Sequence, residues 1–170
     1  EDSAPSIVAG PSGEIFGAWS SDEGVILYRY DETNQLFTDR TIIPGTETLT
    51  NGDVNLEFDG DGDGIVLWNS ADFTGLSEGS TSQDVYNSIH DGGDVMYSIF
   101  DRTSGTFTAP QSLFTMAGSD ENIAITRDTS TGNVVATWVH KPYAETDTLY
   151  AALWNASTNT WSTEQAITTV

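Results

Sequence analysis

Gly62-Asp63-Gly64-Ile65-Val66-Leu67-Trp68 decides the fold, because this stretch occurs three times in altered form. In each copy a glycine lies six residues before a tryptophan; the other two copies are residues 13–19 and 132–138. A short apolar segment precedes each glycine, so each copy predicts a strand, a turn and a second strand. The glycine is expected to adopt a positive φ at the turn. Trp19, Trp68 and Trp138 are expected to be buried at equivalent positions.

A second pattern follows the first in each copy and predicts a second hairpin. An aromatic residue precedes an Asp or Asn, and another aromatic residue lies six positions after that polar residue, in residues 30–37, 100–107 and 154–161. Asp31, Asp101 and Asn155 are expected to form Asx-turns, in which the side chain accepts a hydrogen bond from the backbone two residues on. Each unit therefore contains four predicted strands, joined by two tight turns and one longer connection.

The unit order predicts an all-β fold of three four-stranded antiparallel blades of a β-propeller, either a partial ring or half of a six-bladed assembly. Blade 1 is placed at about residues 5–45, blade 2 at about 53–115 and blade 3 at about 122–168, in a single propeller segment. The apolar run at 65–68 indicates a sheet covered on both faces. A two-sheet sandwich is the alternative, although it does not require units of matched spacing. No stretch predicts a helix.

These motifs also carry a family resemblance. The Asp-x-Thr-x-Gly-x-aromatic turn at 101–107, echoed in the other two units, resembles the Asp-box of sialidase-like bacterial propeller repeats. The resemblance implies a structural role for Asp31, Asp101 and Asn155. It also implies two distinct faces. The turns between strands one and two and between strands three and four form the first face, and the remaining connections form the second face, where such folds bind ligands.

The charge of the chain limits the classes of molecule that it is expected to bind. Twenty-six Asp and Glu oppose five Lys and Arg, which gives a net charge of -21. Nucleic acid is therefore excluded, since binding phosphates requires a basic patch. No apolar run approaches the ~18 residues of a membrane span, so no membrane insertion is predicted. Cations, neutral glycans and basic proteins remain as expected partners. The alternative is that the acidic residues only keep the protein soluble. The first five residues are expected to be a mature or trimmed N-terminus. The protein is expected to be extracellular or at the cell surface.

The second face carries the predicted ligand site. A long insertion spans about residues 69–94, and such a loop in a compact domain is either functional or disordered. Residues 140–147 lie on the same face. A cation or polar ligand is expected to contact the polar residues of these two segments: Asp84, His90, Asp91, His140, Tyr143 and Asp147. A solvated loop without a ligand is the alternative.

The first face carries a candidate calcium site. Asp59, Asp61 and Asp63 alternate with glycines, as in the start of a calcium-binding loop. The pattern is incomplete, because the bidentate Glu expected six residues after Gly64 is Ser70. An ordinary hairpin turn decorated with Asp is the alternative to Ca²⁺.

The sequence favours a binding module over an enzyme. Its function is predicted to be recognition of a glycan or protein through the second face; the alternatives are a fragment of a sialidase-like glycoside hydrolase and a purely structural module. Abundant carboxylates single out no catalytic pair, and the four arginines do not converge, so no catalytic residue is assigned. Three blades are fewer than the about 4–8 of a closed ring. A homodimer or the remainder of a longer propeller is therefore expected as a partner.

Overall fold

The computed structural model describes residues 4–47, 50–71, 76–142 and 145–169. They form three antiparallel sheets, which we call blades 1, 2 and 3. Blade 1 contains β1 (Ser6–Ala9), β2 (Ile15–Ser21), β3 (Gly24–Asp31) and β4 (Leu36–Ile42). Blade 2 contains β5 (Thr50–Phe58), β6 (Gly64–Ala71), β7 (Asp94–Asp101), β8 (Thr106–Phe107) and β9 (Gln111–Phe114). Blade 3 contains β10 (Ser119–Arg127), β11 (Val134–Lys141), β12 (Thr148–Asn155), β13 (Thr160–Trp161) and β14 (Gln165–Thr169). Neighbouring strands pair in chain order, which confirms the predicted all-β blades.

The glycine of each first hairpin has the predicted conformation. The φ angle is 90° at Gly13, 95° at Gly62 and 78° at Gly132. A residue with a side chain is strained in this left-handed region, whereas glycine adopts it freely. The repeated glycine is therefore a requirement of the turn.

The Asx-turns of the second hairpins are also confirmed. Asp31, Asp101 and Asn155 each accept a hydrogen bond from the backbone N–H two residues on, at 2.8, 2.8 and 3.0 Å respectively. These side chains close the turn between the third and fourth strands of each blade. They serve the fold, as the family resemblance implied.

The fourth strands of blades 2 and 3 depart from the prediction, since each is divided into two segments. A hydroxyl residue stands at each break. Thr108 Oγ1 accepts a hydrogen bond from the N–H of Ile99 at 2.9 Å, and Ser162 Oγ accepts one from the N–H of Leu153 at 3.0 Å. These hydroxyls replace a bond of the ladder. In blade 2 the break also contains Pro110, which has no N–H to donate.

One helix, α1 (Ser82–Gly92), lies between β6 and β7, where no helix was predicted. Thr81 and Asp84 form its capping box: the N–H of Asp84 donates to Thr81 Oγ1 at 3.2 Å, and Asp84 Oδ2 accepts from the N–H of Thr81 at 2.7 Å. Ser, Asn and Asp have low helix propensity, and their abundance here concealed the helix. In the described part of the chain no helix is long and apolar enough to cross a lipid bilayer.

The blades pack through two unlike faces. Successive residues of a strand point to opposite sides of its sheet, so Trp68 and Val66 lie on one face of blade 2 and Ile65 and Leu67 lie on the other. We call the first the tryptophan face and the second the aliphatic face. The tryptophan face of blade 2 packs against blade 1 in one buried cluster, and its aliphatic face packs against blade 3 in a second cluster.

The three repeated tryptophans are not equally buried, which corrects the expectation for blade 1. Trp68 and Trp138 have no exposed surface, because each is enclosed between two blades. Trp19 occupies the equivalent position and is half-buried. Among the described residues no further sheet covers the tryptophan face of blade 1, so Trp19 is left open on one side.

Candidate functional site

Asp59 organises the first-face turn of blade 2. Its side chain has no exposed surface. Its Oδ1 accepts hydrogen bonds from the backbone N–H groups of Asp61, Gly62 and Asp63, at 3.0, 2.9 and 3.0 Å. Its Oδ2 accepts a hydrogen bond from the indole N–H of Trp154 at 3.0 Å. Both carboxylate oxygens are therefore occupied by the protein itself, and the turn is fastened to blade 3.

The other two carboxylates predicted to bind calcium point elsewhere. Asp61 is exposed. Asp63 Oδ1 accepts a hydrogen bond from the backbone N–H of Arg102 at 3.3 Å, and burial raises the pKa of Asp63 above its usual range. Within the described ranges, no three acidic, histidine or cysteine side chains are grouped as a metal site requires. Calcium binding by Asp59, Asp61 and Asp63 stays a prediction, without a preformed ligand set.

A cleft of about 500 Å³ opens on the first face between blades 1 and 2. Its apolar wall includes Phe16, Leu27 and Phe100, and charged residues line its mouth. Four of those charges form ion pairs: Arg29 lies 2.5 Å from Asp39, and Arg102 contacts Glu14. The carboxylates of Asp61 and Asp63 also line the cleft. A ligand that binds the arginines of this cleft competes with existing ion pairs, so the cleft is a poor candidate for an anionic group.

A buried polar pair lies on the second face. His140, near the end of β11, and Asp120, near the start of β10, have 2% of their surface exposed. Their Nδ1 and Oδ1 atoms are 2.9 Å apart. Asn69, near the end of β6, donates from Nδ2 to the backbone oxygen of Asp120 at 3.4 Å. These three residues and Asp94, the first residue of β7, are called here the second-face polar centre.

Burial perturbs both carboxyl groups of this centre. It raises the pKa of Asp120 to about 6, and the nearby negative charge of Asp94 adds to the rise, while the contact with His140 opposes it. Burial likewise raises the pKa of Asp94. Strongly perturbed carboxyl groups cluster at functional sites more often than elsewhere. Asp120 is such a group, and the pKa of Asp94 on the same face is also raised, which makes the polar centre the strongest candidate site of the described chain.

Two polar atoms of this centre lack a partner. Asn69 Oδ1 and His140 Nε2 are buried and form no hydrogen bond. With the proton of the imidazole on Nδ1, facing the Asp120 carboxylate, Nε2 is an acceptor. The backbone of Gly118 covers this edge of the ring, since a Cβ at Gly118 would lie 2.8 Å from Cε1 and 3.1 Å from Nε2. The two unused acceptors are suited to a donor such as a hydroxyl group.

Of the predicted second-face residues whose side chains the structure describes, His140 alone lies in this centre. Asp84 caps helix α1. Asp147 lies near Lys141, whose pKa is raised mainly by its hydrogen bond to Glu121 and slightly by the charge of Asp147. The side chains of His90 and Asp91 and the whole of Tyr143 lie outside the described residues.

Sequence reasoning missed Asn69, Asp94 and Asp120 as site residues. Asn69 and Asp94 were only the limits of the predicted insertion, and Asp120 was one of many acidic residues. One signal was available. In the repeat alignment His140 takes the place of Ser70 and Ser21, one residue after Val139 and two after the tryptophan. A histidine at a position that faces the neighbouring blade requires a polar partner there.

The Asp120→Asn variant tests the burial of this carboxyl group. The pKa of Asp120 is about 6 in the folded chain and about 4 in the unfolded chain, so folding favours the protonated form. The free energy of unfolding therefore contains a contribution that falls by roughly 2–3 kcal/mol as pH rises from about 4 to about 6. Urea denaturation gives the free energy of unfolding of wild type and of Asp120→Asn at each pH in this range. The contribution of Asp120 is the difference between the two values.

The same difference for Asp61→Asn is the control, because Asp61 is an exposed carboxyl on the other face. The pH dependence of the Asp120→Asn difference is compared with that of this control. An Asp120→Asn difference that stays flat between pH 4 and 6 contradicts the burial of the Asp120 charge.

Comparisons with known proteins show similarity of fold and assign no function to the site. No family model matches the chain, and no curated protein matches it. A crystal structure of a protein of unknown function from Dyadobacter fermentans DSM 18053 is similar over 96% of this chain, with a TM-score of 0.65 and 14% identity. The endo-arabinase from Bacteroides thetaiotaomicron VPI-5482 is similar over 97%, with a TM-score of 0.57 and 14% identity. The chain spans 41% and 61% of these two structures, and at this identity the similarity concerns the fold alone.

Proposed function

We propose that this chain is the ligand-binding section of an extracellular β-propeller that recognises a neutral glycan through the second-face polar centre. The observation that carries the proposal is the pair of buried acceptors without partners, Asn69 Oδ1 and His140 Nε2. Buried polar atoms in proteins are hydrogen-bonded in the large majority of cases. Sugar hydroxyls can donate to both atoms once the groups that cover them, the Gly118 backbone at His140 and the Gly52 backbone at Asn69, move aside.

The charge of the chain supports a neutral ligand. At a net charge of -21, the protein repels anionic partners at long range. Asp94 and Asp120 add local negative charge at the polar centre. A neutral polysaccharide meets no such repulsion, and its many hydroxyl groups act as donors and acceptors. Similarity in fold to an endo-arabinase supports arabinose-containing polysaccharides as the first ligands to test.

A sialidase-like activity receives no support from the arginines. Arg29 and Arg40 are paired with Asp39 and Glu23, each at 2.5 Å. Arg102 contacts Glu14, and Arg127 donates to the backbone oxygen of Asp59. Recognition of a sugar carboxylate requires guanidinium groups that converge on it. All four arginines are engaged away from the polar centre.

A glycoside hydrolase is the second candidate, and one observation favours it. Glycosidases use two carboxyl groups, one of which is kept protonated by a raised pKa. Asp94 and Asp120 both have raised pKa values. The Asp120 carboxyl is already held by its hydrogen bond to His140, and this places binding ahead of hydrolysis.

Isothermal titration with soluble arabinan and other neutral polysaccharides tests the proposal. Asn69→Ala removes one unused acceptor and is expected to weaken binding about tenfold, the equivalent of one hydrogen bond. Asn34→Ala, on the first face, is the matched control and is expected to bind like wild type. Failure of the folded chain to bind any neutral polysaccharide contradicts the proposal, as does an equal loss in both variants. Release of reducing ends in the same mixtures identifies the hydrolase instead.

A further inference from the structure

We propose that the first-face cleft between blades 1 and 2 binds a lysine side chain of a basic partner protein. The alkyl chain of the lysine lies against the apolar wall of the cleft, and its ammonium group binds the carboxylates of Asp61 and Asp63. The cleft volume of about 500 Å³ is within the range of ligand pockets in proteins. This inference is independent of the proposed glycan ligand, because the polar centre lies on the second face.

The apolar wall of the cleft is formed by side chains that belong to the core between the two blades. Phe16 and Leu27 of blade 1 and Phe100 of blade 2 line the cleft, and each is at most 8% exposed. All three belong to the buried cluster that joins blades 1 and 2, and the rings of Phe16 and Phe100 have centroids 6.3 Å apart. The wall is therefore formed before a ligand arrives, and an alkyl chain placed against it loses contact with water.

The mouth of the cleft carries an excess of negative charge. The two arginines that line it each contact a carboxylate, so their positive charges are already compensated. Asp61 and Asp63 line the same cleft, and neither forms an ion pair with any residue that the structure describes. A ligand that enters the cleft therefore meets two negative charges without a counter-charge.

The surroundings of Asp63 favour a cation beside it. Its Oδ1 accepts a hydrogen bond from the backbone N–H of Arg102 at 3.3 Å, whereas its Oδ2 accepts none within the described residues. Burial raises the pKa of Asp63, the hydrogen bond from Arg102 opposes the rise, and the negative charges of three neighbouring aspartates add to it. A positive charge nearby offsets this repulsion. The ammonium group of lysine has three donors, which can serve Asp63 Oδ2 and the exposed carboxylate of Asp61 together.

A lysine side chain combines the two properties that the cleft requires. It has a flexible four-carbon stem and a compact charge at its end, and such stems commonly lie along apolar surface while the charge stays near water. A metal ion would leave the apolar wall unused, and the described acidic groups are not arranged as a metal site. A purely apolar ligand would cover the two carboxylates without giving them a partner, which is unfavourable.

A protein is favoured over a small free amine as the source of the ammonium group. A single ion pair near water adds little affinity, and the mouth of the cleft is open to water, since more than half of the side-chain surface of Arg29 and of Asp39 is exposed. A basic protein is attracted in addition by the net charge of -21 of the whole chain. It also forms further contacts around the mouth of the cleft.

Fluorescence anisotropy with a labelled tetralysine peptide, capped at both ends, tests the cleft. The double variant Asp61→Asn/Asp63→Asn keeps a side-chain oxygen that can accept from the N–H of Arg102, and it is expected to weaken binding about tenfold. Glu78→Gln/Glu164→Gln is the matched control, because it removes the same charge from exposed side chains that do not line the cleft. It is expected to bind within about twofold of wild type, since remote exposed charges are screened.

A tetralysine peptide with all four side chains acetylated has the same length without the charge and is expected not to bind. A wild type that does not bind tetralysine overturns the proposal. An equal loss in the two double variants also overturns it, because the attraction then comes from total charge alone. Butylamine that binds as tightly as tetralysine assigns the cleft to a small amine, and calcium that displaces the peptide assigns the carboxylates to a metal ion; either result overturns the protein partner. Circular dichroism of each variant confirms that it is folded.

Discussion

Replacing Trp68 with alanine is expected to lower the free energy of unfolding by about 3–5 kcal/mol, the usual cost of truncating a large aromatic residue in a core. The Trp68 side chain has no exposed surface and lies in the cluster between blades 1 and 2. Its removal leaves a cavity that two stiff sheets cannot close. The buried indole N–H has no partner, which keeps the expected loss from exceeding this range. Urea denaturation at neutral pH measures it.

Trp19→Ala is the matched comparison for Trp68→Ala. The two tryptophans occupy the same place in their blades, but Trp19 is covered on one side only. Its truncation is expected to cost about half as much or less. A loss below about 1 kcal/mol for Trp68→Ala means that the repeats have been aligned wrongly.

Replacing Asp59 with alanine is expected to be the second most damaging change, at about 3–4 kcal/mol. The substitution removes the side-chain acceptor of three backbone N–H groups of the turn and of the indole N–H of Trp154. The N–H of Gly62 keeps a longer hydrogen bond to the backbone oxygen of residue 59, at 3.3 Å. Leaving buried donors unpaired costs more than the net value of the bonds they formed. Denaturation of the variant in urea, with an unchanged dependence on denaturant, measures the loss.

Asp59→Asn separates the hydrogen bonds from the packing. An asparagine keeps one oxygen that can accept from the turn, but its NH₂ group cannot accept from Trp154. Its expected loss is about half that of Asp59→Ala. Equal losses in the two variants would mean that the turn does not depend on this acceptor.

Most of the fold could be predicted from the sequence, because the turns depend on residues that are close together in the chain. The positive φ of Gly13, Gly62 and Gly132 and the Asx-turns at Asp31 and Asp101 each depend on residues within a few positions of one another. Such short-range requirements recur with the repeat and can be aligned by eye. The breaks in the fourth strands could not be located in this way, because a strand and a strand with a bulge have nearly the same residue pattern.

Most of the candidate site could not be predicted from the sequence, because its contacts connect distant parts of the chain. Asp59 looked like a calcium ligand from its neighbours, yet its second oxygen binds Trp154, 95 residues away. Asp120 and His140 are 20 residues apart and meet only when β10 pairs with β11. Composition made Asp120 one of 26 acidic residues, and burial alone distinguishes it.

A double-mutant cycle between Phe16 and Phe58 tests most directly whether the sheets are stacked as blades. Phe16 belongs to blade 1 and Phe58 to blade 2, and their ring centroids are 5.0 Å apart. Stacked blades predict a coupling energy of about 0.5–1.5 kcal/mol between Phe16→Ala and Phe58→Ala, whereas Phe16→Ala and Trp138→Ala, in separate clusters, are expected to be additive. Additivity of Phe16→Ala with Phe58→Ala, within about 0.3 kcal/mol, would contradict the stacking of blade 1 on blade 2.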